Sequence, residues 1–87
     1  MDIKKLIEGR KTLVIRDREG NVRTVQPYAL FQGKEEVLLH CYQTEGHSAT
    51  SSAGWKNIKL SSIESASEGS PFEPRPEFNP GRLKGIL

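Results

Sequence analysis

The sequence predicts a small, mainly β protein: a five-stranded barrel, closed or nearly so, with one short helix in front and an extended strap behind. Three observations predict it. Five short runs rich in β-branched, aromatic and other apolar residues alternate with turn-forming segments over about sixty residues. Helical periodicity occurs in one place only, at the N-terminus. A chain of 87 residues has room for one modest core, because at this length little more than about 60% of the unfolded surface is buried.

The first element is a helix capped by Asp2, with Ile3, Leu6 and Ile7 on one face and Gly9 as its left-handed stop. At two turns it is a lid that cannot stand alone. Thr12 to Arg16 forms the first strand, and the segment Asp17-Arg18-Glu19-Gly20-Asn21 supplies the turn before Val22 to Gln26 returns as its hairpin partner. Pro27 has no amide hydrogen to give to a ladder, so this second strand is expected to stop there and hand over to a turn. Tyr28, Leu30 and Phe31 follow, and the chain breaks at Gln32-Gly33-Lys34-Glu35. Glu36 to Gln43 is apolar on both faces, Val37, Leu39 and Cys41 on one and Leu38, His40 and Tyr42 on the other, as a central strand requires.

Thr44 to Gly54 contains no large apolar side chain and reads as a mobile loop. Trp55 to Leu60 is the fourth strand, with Ile58 and Leu60 on one face and Trp55, Asn57 and Lys59 on the other; Ile63 to Ala66 is a short fifth. Residues 1–70 thus form the β domain. Residues 71–87 differ in kind: Pro71, Pro74, Pro76 and Pro80 exclude a regular helix or an internal strand, while Phe72 and Phe78 are anchors for a strap lying across the domain. Leu83 to Leu87 is free to dock on a neighbouring subunit.

Composition narrows the setting. One cysteine cannot make an internal disulfide, no secretory leader pattern opens the chain, and no apolar stretch approaches the roughly 20 residues of a bilayer span. The expectation is a cytoplasmic protein with no membrane association. The net charge is only +2, yet residues 1–34 carry eight basic and four acidic residues while the remainder is net negative. Such an imbalance fits an anion-facing surface in the first half, or charges solvated along a strand edge.

The candidate site is Arg23, Lys56 and Lys59 with Tyr28, His40 and Trp55 nearby. Cationic groups donate to phosphate, and an exposed ring gives a base something to stack on. Each has a plainer reading: Trp55 as a core plug, Lys59 as a solvated edge residue, Tyr28 as a corner that bonds backbone. His40, Cys41 and His47 do not make a metal site, since His40 and Cys41 are adjacent on a strand and face opposite ways. The same geometry separates Cys41 from a histidine base, and neither an enzyme nor a cofactor is expected.

The order helix, hairpin, Val25-Gln26-Pro27-Tyr28-Ala29-Leu30, central strand, loop and Ile58-Lys59-Leu60 strand resembles the WYL-domain family. Gly20, Arg23 and Val25 to Leu30 match its glycine turn and R-x-V-x-P-x-x-L signature, Ile58 to Leu60 with Ile63 its F-R-L-D-R-I strand, and Phe72 with Pro74 its F-x-P ending. The resemblance implies a small Sm-like, Src-homology-3-like barrel. It also implies a regulatory sensor for a nucleotide or single-stranded nucleic acid, acting on transcription through a DNA-binding partner protein. The chain departs from the family at Glu36-Val37-Leu38, where the Trp-Tyr-Leu triplet stands, at Ser61-Ser62 in place of Asp-Arg, and at Lys56 in place of an arginine. The inferred ligand site is therefore altered. The competing expectation is an assembly or protein-interaction module, a homo-oligomer joined by open strand edges and the strap.

Overall fold

The computed structural model describes residues 3–46, 54–83 and 85–87. Asp2 and His47 therefore lie outside the described residues. Helix α1 (Ile3–Glu8) precedes five strands, β1 (Lys11–Asp17), β2 (Val22–Gln32), β3 (Val37–Gly46), β4 (Gly54–Lys59) and β5 (Ile63–Pro71). A 3₁₀ turn at Leu60–Ser62 links β4 to β5, and another at Pro80–Arg82 lies in the strap. The strands form one antiparallel sheet in the order β4-β3-β2-β1-β5. No described helix is long and apolar enough to cross a membrane.

The sheet is open, with no ladder between β4 and β5 among the described residues. It is nonetheless curled. A flat five-stranded sheet would hold its edge strands about 19 Å apart, more than the roughly 14 Å that the chain from Lys59 to Ile63 can span. The overall extents of 31 × 30 × 27 Å agree with a sheet wrapped around its own inner face.

Local chemistry accounts for the joins. In the β1–β2 turn, Asp17 Oδ1 accepts from the amides of Glu19 and Asn21, both at 2.9 Å, and Gly20 takes a φ of 88°. The Asp17 carboxyl is nudged up by burial but held lower by those amide hydrogens, and it ends below its ordinary value. After α1 the left-handed residue is Arg10, at φ 52°, and not Gly9. At the end of β3, Gly46 has φ 103°, and a Cβ there would lie 2.5 Å from Arg23 Cα, so no other residue fits.

β2 corrects the expectation that the strand ends at Pro27: it runs through the proline to Gln32. Two features permit this. Pairing with β1 stops at Leu13↔Val25, so Pro27 faces no β1 partner, and the register with β3 shifts between Pro27↔Cys41 and Ala29↔His40. The proline sits at a local edge beside a bulge, the places in a sheet that tolerate it. β5 runs five residues beyond its expected end at Ala66, reaching Pro71 along β1.

The core on the inner face consists of Ile3, Leu13, Ile15, Val25, Leu30, Leu39, Cys41, Ile58 and Ile63, all buried. Side chains of this size contribute about 1.5–3 kcal/mol each on full burial. Gln43 is the buried polar residue of this face, and it is satisfied: Arg23 Nη1 donates to its Oε1 at 3.3 Å and its Nε2 donates to Gly46 O at 3.2 Å.

Candidate site: an aromatic face covered by the strap

Alternation along three neighbouring strands builds the outer face. Gln26 of β2 pairs with Tyr42 of β3, Tyr42 with Trp55 of β4, and His40 with Asn57. The bulge inverts the parity of β2. Val25 and Pro27 point inward before it and Leu30 after it, while Tyr28, next to the inward proline, faces outward by simple alternation at a ring distance of 4.9 Å from Trp55. Trp55 also meets Tyr42 edge-on at 5.4 Å and lies parallel to His40 at 4.9 Å. His40 Nδ1 is 2.7 Å from Asn57 Oδ1; with the amide oxygen accepting, the ring carries a proton on Nδ1.

The strap lies over these rings. Its start is fixed where the Phe72 amide donates to Arg10 O at 3.1 Å, and the Phe72 ring meets Tyr28 at 5.6 Å. Arg75 is held three times: its guanidinium carbon lies 3.6 Å from the Tyr42 ring centroid, its Nε donates to Gln26 Oε1 at 3.0 Å, and its amide donates to the Tyr28 hydroxyl at 2.9 Å. A turn follows, closed by the Phe78 amide on Arg75 O at 3.1 Å, which brings Phe78 back to Tyr28 at 4.9 Å and His40 at 5.8 Å. An open cleft of about 320 Å³ remains between α1, β2 and the strap, lined by Ile7, Arg10, Pro27, Tyr28, Phe72 and Phe78.

The chain end returns to the sheet. Gly85 O accepts from the Gln32 amide at 2.9 Å and the Leu87 amide donates to Leu30 O at 3.0 Å, with Ile86 opposite Phe31. The segment expected to dock on a neighbouring subunit is thus seated on its own β2, on the side away from β3.

The six predicted site residues separate into two sets. Tyr28, His40, Trp55 and Lys59 lie on the outer face, whereas Lys56, opposite Cys41, and Arg23, bonded to Gln43, lie on the inner side. Lys56 and Lys59 are three positions apart on one strand, and odd spacing sends side chains to opposite faces. Lys59 is drawn to Glu36, 3.6 Å away, whose other oxygen accepts from Ser61 Oγ at 2.9 Å. Glu36 and Ser61 are two of the positions that depart from the WYL pattern.

Trp55 does not belong to the core cluster, nor does any other phenylalanine, tyrosine or tryptophan of the chain. Cys41 does, fully buried, and burial pushes its thiol up to about 12 against the smaller opposing pull of Arg23 and Lys56. A thiol so placed is a poor nucleophile. Among the described residues no three metal-ligating side chains gather.

Gln26, Tyr42 and Arg75 complete the outer site and are not among the candidates the sequence offers, whereas Phe78 is one of the two strap anchors expected from it. Tyr42 shares strand parity with His40, and Arg75 stands between two prolines; those were the available signals. Compared with known proteins, the chain matches no family model, no curated protein and no solved structure.

Proposed function

We propose that this chain is a non-catalytic interaction module of a WYL-like, Sm-like small-barrel type, whose working surface is the aromatic face and whose ligand is an extended protein segment. The element order and the Arg23 to Leu30 run support the family part of this reading. One observation carries the rest: the face already seats an extended proline-rich segment through Tyr28, Tyr42 and their neighbours. Proline-rich segments suit such grooves because their backbone is pre-extended and loses little freedom on docking.

The second reading is the sensor for a nucleotide or single-stranded nucleic acid, working on transcription through a partner. It is favoured by Arg23 and Lys56 lying on the same inner side of the sheet, one bonded to Gln43 and the other opposite Cys41. It ranks second because binding a strand needs cations and stacking rings along one groove, and here those two cations and the rings lie on different faces.

Trp55 emission separates the two. In a chain carrying R75A and F78A, whose own strap no longer supplies those contacts, Trp55 is expected to respond to a synthetic peptide of residues 71–80, with little dependence on salt. An oligodeoxythymidine of about ten bases is expected to leave the signal unchanged. An oligonucleotide response that falls steeply with salt, together with silence from the peptide, overturns the interaction reading.

A further inference from the structure

Resting on that reading, we infer that the aromatic face contains an arginine-reading slot, filled in cis by Arg75, whose partner is another protein's extended segment carrying arginine between two prolines. The slot is made by Gln26, Tyr28 and Tyr42. Its groups are matched to one side chain and one short backbone stretch.

The side-chain match is to a guanidinium. Tyr42 offers a ring face at 3.6 Å while Gln26 Oε1 accepts from Nε at 3.0 Å, in the plane of the same group. A planar, delocalised cation can stack and donate laterally at once. A lysine ammonium, a point charge at the end of a flexible stem, has no Nε hydrogen at that place to donate.

The backbone match is to Pro-Arg-Pro. Prolines have no amide hydrogen, so within Pro74-Arg75-Pro76 the sole backbone donor is that of Arg75, and the Tyr28 hydroxyl accepts it at 2.9 Å. A segment with ordinary residues at the flanks would bring further amide donors that need partners. Pro76 also suits the second position of the turn that the Phe78 amide closes on Arg75 O, so an aromatic residue three places after the arginine returns to Tyr28 and His40. The ligand chemistry is therefore Pro-Arg-Pro-x-Phe.

The occupant in place is tethered and holds on by half-exposed contacts. Arg75, Phe78, Tyr28 and Tyr42 are each only partly buried, and the Arg75 to Glu77 ion pair at 3.8 Å lies within the strap itself. Such a segment competes with a partner without sealing the site.

The test uses the full-length chain carrying R75A and F78A, which weakens the cis ligand and leaves the slot residues intact. The probe is a fluorescein-labelled peptide of residues 71–80, in versions with arginine, lysine or neutral citrulline at its fifth position, read by anisotropy. The arginine peptide is expected to bind the variant at least about ten-fold more tightly than wild type, since the tethered competitor is weakened. The lysine and citrulline peptides are expected to bind at least about ten-fold more weakly than the arginine peptide. If R75A/F78A does not give a cooperative melt, R75A alone serves. Equal binding of all three peptides overturns the slot and leaves the interaction reading standing; no binding of any peptide to a folded variant overturns both. Wild-type association between copies in light scattering that R75A/F78A abolishes assigns the slot to a second copy and overturns the partner proposal.

Discussion

The inner and outer apolar regions of this molecule are made of different residues. The inner cluster is aliphatic apart from Cys41, with Leu13, Val25 and Leu39 fully buried. The outer one is aromatic, and every ring in it remains half-exposed. Branched aliphatic side chains interdigitate within a tightly curled sheet and hold the strands in register. Rings offer large flat faces and polar rims, which suit a segment held by stacking and by single hydrogen bonds. The contrast separates an aliphatic side that holds the strands together from an aromatic side that seats the strap.

Leu39→Ala is the strongest way to break that division. It opens a cavity at a position with no exposure and is expected to cost about 3 kcal/mol in urea unfolding, with the strap contacts released only as the whole chain unfolds. A loss below about 1 kcal/mol would mean that the aliphatic side does not carry the fold.

Phe78→Ala sharpens the comparison from the other side. It removes ring contacts at 4.9 and 5.8 Å and is expected to cost about 1 kcal/mol of global stability, while amide exchange over residues 72–80 rises well above that of β2 and β3. Equal changes in the strap and the strands would show that the two regions are one cooperative unit.

Asp17→Asn touches neither region and is the smallest effect. The native carboxyl sits below its ordinary value, so its contribution is present above about pH 4 and fades as the pH falls through the lowered value. Asparagine keeps the Oδ1 acceptor for Glu19 and Asn21. Stability near pH 7 is expected to change little, and the acid limb of a pH–stability profile to flatten; an unaltered acid limb would reject this role.

The strands were legible because alternation is local. Leu13 and Ile15, or Leu39 and Cys41, declare a buried face by position alone, and Leu38, His40 and Tyr42 declare the opposite one. Pro27 was misread because its tolerance depends on where β1 stops pairing and where β3 shifts register, both properties of distant segments. Part of the aromatic face is legible in the same way, through Tyr28, His40 and Trp55. Arg75 was not, since it meets Gln26 and Tyr28 from nearly fifty residues away and nothing in PFEPRPEF states which strand it will reach. The division of Lys56 from Lys59 is present in their odd spacing, which sets the two ammonium groups on opposite faces of β4.

A proline inside a strand that runs through the middle of a sheet also acts on the alternatives to the native state. Sliding β2 farther along β1 would set the Pro27 nitrogen against a carbonyl that expects a hydrogen, at a cost of about 1–3 kcal/mol for the acceptor left unmatched. Misaligned hairpins are thereby penalised while they form, and the correct alignment is proofread by an atom that makes no bond in it.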